Sequence, residues 1–153
     1  MSRTNLILLA AGGSAGLLLG ALAFQYLGGL APCILCIYQR WPHVVALLLA
    51  VIALWRGGPV WPVLGALAAL TSAGIGVFHV GVEQEWWAGL QQCAVNTLEG
   101  VSAGDLLNTD VTVGAPAACD KVPWSLFGIS MAGWNVISST LIAGLWLAAA
   151  RKG

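Results

Sequence analysis

Four apolar runs divide this chain, at residues 5–27, 37–55, 60–82 and 126–150. Each holds 19 residues or more, enough at ~1.5 Å per residue to cross a hydrocarbon core of ~30 Å. Two short gaps, 28–36 and 56–59, and one long gap, 83–125, separate them. Short connections join antiparallel neighbours. The pattern therefore predicts an all-α integral membrane protein, a four-helix transmembrane bundle in one membrane domain over residues 1–153. Arg3 and the stretch Ala21-Leu22-Ala23 give the first run some likeness to a secretory signal. Its apolar core exceeds the ~7–15 residues of such signals, so it is read as a helix that stays in the membrane.

Within the runs, Gly12, Gly16 and Gly20 recur at spacing four, which reads as a face for close helix packing. Gly28-Gly29 break the first helix, and Pro32 suits the first turn of the second. Pro42 either kinks that helix or marks its regular start. Arg56-Gly57-Gly58-Pro59 form a tight turn, and the third run closes near His79. In the long gap, Glu85-Trp86-Trp87-Ala88-Gly89-Leu90 mixes paired tryptophans with charge, which suits a short helix lying at the membrane interface. Beyond Cys93 no period is visible, and a connection of this length is usually functional or flexible.

Composition agrees with the pattern. Of the 153 residues 59% are hydrophobic and 8% charged, against about a quarter charged in soluble domains. The net charge is zero, yet the signs are segregated. All six acids (Glu83, Glu85, Glu99, Asp105, Asp110, Asp120) fall in the long gap, whereas Arg3, Arg56, Arg151 and Lys152 lie at the termini and the 56–59 turn. There is no basic patch to support nucleic-acid binding. The positive-inside rule sets both termini and residues 56–59 in the cytoplasm and leaves 28–36 and 83–125 outside. Cys33, Cys36, Cys93 and Cys119 then all face the outer compartment. In a bacterium that is the periplasm, where disulfides persist.

Zinc sites favour closely spaced thiolate pairs. Here the gaps between cysteines are 2, 56 and 25 residues, so no metal site is expected. A Cys93–Cys119 bridge would close a 27-residue loop, and chain entropy makes such a bridge worth roughly 3–4 kcal/mol. A structural role fits that pair. It fits Cys33–Cys36 poorly, because a bridge across two residues constrains almost nothing. Short Cys-x-x-Cys pairs are generally redox-active instead.

The neighbours of Cys36 sharpen this reading. It falls in the first turn of a helix, where free N–H groups and the helix dipole favour a thiolate. Arg40 follows at i+4 on the same face, ~6 Å deeper. An ionisable residue inside a span is costly and marks function unless it snorkels to the headgroups. His79 closes the third run at a matching depth. His43, one turn further in, is read as packing.

These residues together are similar to the signature of the disulfide bond formation protein B (DsbB) family. The likeness lies in Pro32-Cys33-Ile34-Leu35-Cys36-Ile37-Tyr38-Gln39-Arg40-Trp41-Pro42 and in Cys119-Asp120-Lys121-Val122-Pro123-Trp124-Ser125-Leu126-Phe127-Gly128-Ile129-Ser130-Met131. It extends to four spans, two outer cysteine pairs in the same order, and a histidine closing the third span. Two departures stand out: Ala132 where a proline is common, and Val82-Glu83 in place of the usual Leu-Gln. Neither is expected to touch a thiol.

The resemblance implies a quinone-reducing protein-disulfide oxidoreductase in the bacterial inner membrane, with ubiquinone or menaquinone as acceptor. Its partner would be a periplasmic thioredoxin-fold thiol oxidase of the DsbA type, the system that keeps the periplasm oxidising. Such an oxidase is too strongly oxidising for glutathione to regenerate, by roughly 3–4 kcal/mol, and a lipophilic quinone can close that gap. In this scheme Cys93 meets the partner, Cys119 attacks Cys33 of the Cys33–Cys36 disulfide, and Cys36 passes electrons to the quinone. Arg40 would stabilise negative charge on Cys36 and the ring, and His79 would hydrogen-bond a ring oxygen. Two other readings compete: a vitamin K epoxide reductase-like enzyme, whose loop cysteines come before the Cys-x-x-Cys, and a non-enzymatic membrane scaffold stapled by structural disulfides.

Overall fold

A computed structural model describes residues 1–90 and 118–152. Four helices dominate it: α1 (Arg3–Tyr26), α2 (Ile34–Arg56), α3 (Val60–Glu83) and α4 (Met131–Ala150). All four are long and apolar enough to cross a membrane. Each packs on two others, α1 on α2 and α4, and α3 on α2 and α4, which closes a four-helix ring. Many large side chains, such as Leu48, Val51, Leu67 and Leu141, point outward and are exposed. That inversion is expected where lipid, not water, is the solvent.

The core is built largely from small residues. Ala10, Ala46, Ala53, Ala66, Ala69, Ala143 and Ala149 are buried, and Trp146 fills the space they leave. Gly65 makes this possible, because a Cβ there would lie 2.6 Å from the Trp146 ring. Gly76 likewise admits Val136. The close-packing glycines thus sit chiefly on α3, against α4. Gly12, Gly16 and Gly20 do not have this role: a Cβ at any of them would meet nothing within 4 Å. Regular spacing marks a face of the helix but not what lies against it.

Helix ends depart from expectation in three places. α2 begins at Ile34, three residues early, because Cys33 caps it with its own sulfur, so Pro32 precedes the helix and does not start it. Pro42 lies within the helix. α4 begins only at Met131. The preceding residues form a two-stranded hairpin, β1 (Ser125–Leu126) against β2 (Ile129–Ser130), turning at Phe127 and Gly128 with φ of 54° and 77°. Ser130 then caps α4, accepting from the Gly133 amide. Finally, the interfacial helix expected over 85–90 is absent. Glu85 takes φ of 57° and ends α3, and Trp87 folds back to stack on Phe78 and donate to its carbonyl at 3.0 Å. The paired tryptophans close the helix end.

At the opposite end of the bundle, Arg3 donates to the carbonyls of Ala53 and Gly58 and ties the start of α1 to the α2–α3 turn. Gly57 and Gly58 make that turn in the left-handed region, with φ of 68° and 77°, where a side chain is strained.

Candidate functional site

The two thiols meet where α2 begins. Cys33, as N-cap, accepts the amide of Cys36 on its sulfur at 3.2 Å. Its own S–H points to Cys36 Sγ, 2.7 Å away. Helical geometry brings the pair together, since an N-cap and the third helical residue lie on one face. Both cysteines are free, Cys33 buried and Cys36 half-buried. The hydrogen bond to Cys36, aided by burial, pushes the Cys33 thiol well above its ordinary range.

His79 comes from the end of α3. Its Nε2 lies 3.6 Å from Cys33 Sγ. Its Nδ1 lies 2.9 Å from Gln39 Nε2, which also donates to the Leu35 carbonyl. An amide nitrogen only donates, so Nδ1 is the acceptor and the imidazole proton sits on Nε2, facing the thiols. Sequence reading gave Gln39 no role of its own, although it lies within the Pro32–Pro42 signature and on the Cys36 face of a hydrophobic helix. The backbone of Cys119 also reaches the His79 ring. Cys119 itself is fully buried beside Cys33 and Val82 and is disulfide-bonded. Cys93 lies outside the described residues.

Glu83 lies one turn beyond His79. Its Oε1 lies 3.9 Å from His79 Nε2, and the side chain is 2% exposed. The Ser130 hydroxyl donates to it. The residue that departs from the family pattern is part of the dithiol's surroundings.

Inward of the thiols, a cavity of about 210 Å³ opens between α1, α2 and α4. Cys36, Arg40 and His79 line it together, with Phe24, Leu17, Met131 and Trp134 as apolar walls. Gly16 and Gly20 also line it: the glycine stripe of α1 leaves room for the cavity and brings no helix close. Arg40 turns toward the end of α1. Its Nη1 donates to Gln25 Oε1 at 2.6 Å, and its buried Nε finds no acceptor among the described residues. At the inner end His43, expected to be mere packing, anchors a polar cluster. Its ring contacts Ser14 and Ser139 at 3.2 Å and Asn135 at 3.4 Å, and Asn135 continues to Ser72. One helix from each corner of the bundle contributes to this buried network, so it also fixes how the helices register.

The family model for disulfide bond formation protein DsbB matches residues 3–149. The chain belongs to that family. Disulfide bond formation protein B of Verminephrobacter eiseniae is 34% identical over 143 residues, covering 90% of this chain and 80% of its own. The protein of the same name from Methylococcus capsulatus is 33% identical over 131 residues, covering 80% and 79%. Disulfide bond formation protein B 1 of Burkholderia lata is 32% identical over 142 residues, covering 85% and 81%. No solved structure matches the chain. Membership of the DsbB family, together with the free Cys33–Cys36 pair at the mouth of a cavity, makes this a multi-pass membrane protein of disulfide formation.

Proposed function

We propose that the chain oxidises a periplasmic thiol oxidase of the DsbA type and passes the electrons through Cys93–Cys119 and Cys33–Cys36 to a membrane quinone. The observation that carries this reading is the cavity. It is apolar on most sides, opens within the spans, and presents Cys36, Arg40 and His79 on one wall. Arg40 lines the cavity, and its buried Nε, which has no acceptor among the described residues, favours a ligand with an acceptor oxygen. A quinone ring fits this donor set, and when bound it supplies a two-electron, two-proton acceptor. The distribution of basic residues favours the inner membrane, with both termini cytoplasmic and the cysteines periplasmic.

In this reading the Cys33–Cys36 dithiol would close to a disulfide, releasing two electrons and two protons that a bound quinone would accept. Cys36, the more exposed sulfur and the one lining the cavity, is the donor to the ligand. Cys33 faces His79 and Cys119, so it is the sulfur that exchanges with the loop pair. The neutral His79, its Nε2–H held toward the sulfurs by Gln39, keeps a proton at hand for the exchange. Arg40 offers fixed positive charge where negative charge develops. The family assignment favours this reading over a scaffold or a vitamin K epoxide reductase-like enzyme.

The test uses detergent-purified protein with a reduced DsbA-type partner and a soluble quinone, followed by quinone absorbance. Turnover should be abolished by Cys36→Ser, and quinone should be extractable from the wild-type protein. Undiminished turnover in Cys36→Ser would overturn the reading.

A further inference from the structure

Cys33, Cys36 and His79 hold their sulfurs and ring nitrogen within 4.8 Å of one another, the donor cluster with metal-ligand chemistry among the described residues. Glu83 Oε1 lies 3.9 Å from the same His79 Nε2. We propose that the reduced dithiol, His79 and Glu83 form a binding site for a thiophilic divalent cation of the zinc class, and that this site exists only while Cys33 and Cys36 are reduced.

The distances favour it. Tetrahedral zinc with bonds of ~2.3 Å to sulfur and ~2.0–2.1 Å to nitrogen sets neighbouring sulfur and nitrogen ligands about 3.6 Å apart. Cys33 Sγ and His79 Nε2 are 3.6 Å apart. The nitrogen-to-carboxylate separation would be about 3.4 Å on the same basis, and it is 3.9 Å here. The two sulfurs stand too close, at 2.7 Å, and Glu83 stands outside the 4.8 Å cluster of the other three donors, so its carboxylate must swing inward to join them. Cys33 directs its thiol proton at Cys36. A cation displaces that proton and the one on Cys36, and the sulfurs separate by about 1 Å to a normal thiolate spacing. Binding thus releases two thiol protons and transfers no electrons. His79 would lose its Nε2 proton to the opposite ring nitrogen, and Gln39, by turning its amide over, would accept from Nδ1–H. That outer hydrogen bond is the usual support of a metal-bound histidine.

Glu83 makes this more than the general affinity of a dithiol. Its side chain is buried and held by Ser130 beside the histidine, outside the three-donor cluster, so it offers a fourth, anionic ligand once the carboxylate turns toward the thiols. The spacing argument that excluded zinc considered four thiolates. The folded chain assembles two thiolates, an imidazole and a carboxylate from α2 and α3, a set no linear spacing reveals. A cation seated there occupies the sulfurs that must form the disulfide, so it would stall the protein in its reduced state.

The experiment is an anaerobic cobalt(II) titration of the full-length protein in detergent, with no quinone or partner present, so the result does not depend on the redox reading. Cys93→Ser/Cys119→Ser protein isolates the dithiol. It should bind one cobalt per chain with thiolate charge-transfer bands and intense tetrahedral d–d bands, which zinc displaces. After oxidation to the Cys33–Cys36 disulfide the bands should be absent. Glu83→Gln and His79→Ala should each shift the d–d bands and weaken binding at least tenfold. Cys36→Ser in otherwise wild-type protein is a second route should the double variant fail to fold, and it should lose the bands. Unchanged bands and affinity in both Glu83→Gln and His79→Ala, or equal binding by oxidised protein, would overturn the proposal.

Discussion

Gln39 and His79 are joined at 2.9 Å across the α2–α3 interface, and this single contact decides which nitrogen of the imidazole carries its proton. With Nδ1 occupied as acceptor, the N–H is delivered toward Cys33. Gln39→Leu should release the ring and slow thiol–disulfide exchange at Cys33 by about tenfold. Quinone KM should rise as well, since Gln39 lines the cavity and holds the His79 ring beside it. Equal kcat in wild type and variant would count against a role for the tautomer.

Gln25 holds Arg40 in place through the 2.6 Å bond to Nη1. Gln25→Ala frees the guanidinium while keeping its charge, so it should raise quinone KM several-fold and leave exchange with the partner unaltered. Arg40→Lys retains charge but not the planar fork, and it should raise KM at least as much. Steady-state kinetics with quinone and partner varied separately would check both.

Ser130 has two tasks, capping α4 and donating to buried Glu83. Ser130→Ala should cost about 1 kcal/mol for the cap and a further 1–3 kcal/mol for the deserted carboxylate. Removing the charge with Glu83→Gln should return part of the second loss. A double-mutant cycle from unfolding in detergent should show coupling of about 0.5–3 kcal/mol. Strict additivity would show that the two side chains act separately.

Gly65→Ala places a methyl against the Trp146 ring, with its Cβ at 2.6 Å. Overpacking of this kind costs about 1–3 kcal/mol. Gly16→Ala, which meets nothing within 4 Å, should be nearly neutral for stability yet should narrow the cavity it lines. Melting temperature would separate the first variant, and quinone KM the second.

The Cys33 thiol is held above its ordinary range by its bond to Cys36 and by burial. The folded state thus retains a proton that the unfolded chain gives up near pH ~8.5. This contribution to stability is complete below that pH and declines as pH rises above it. Reduced protein should lose stability under alkaline conditions, whereas the Cys33–Cys36 disulfide form should lack this component. Denaturant unfolding of both forms across that range would measure the difference. Iodoacetamide should modify Cys36 before Cys33.

How much of this was legible in the chain follows from what each residue's role depends on. Four spans and the Cys-x-x-Cys at the start of the second are local facts of hydropathy and spacing, and the structure has them. Arg40 was legible because an unpaired charge in a span needs a reason. Gln39, Glu83 and His43 were not, because each acquires its role from a partner 40, 4 or 92 positions away, on a neighbouring turn or helix. Phe127 and Glu85 adopt positive φ, a choice that composition does not announce, so the hairpin before α4 and the non-helical path after α3 escaped the hydropathy pattern. The glycine stripe was read correctly as a face and wrongly as a contact. A gap beside a helix leaves the same sequence trace as a tight fit.

Because Cys33 starts α2 with its sulfur, the usual ways of disabling a thiol are not equivalent here. Serine leaves an oxygen that receives the Cys36 amide as serine caps do elsewhere; alanine leaves that amide bare. Cys33→Ser should therefore silence electron flow in a bundle that stays intact, whereas Cys33→Ala confounds lost chemistry with a frayed helix. The same sulfur caps the helix and belongs to the dithiol, so a change in its redox state should register in the first turn of α2. The exchange rate of the Cys36 amide becomes a gauge of redox state, readable without any substrate at all.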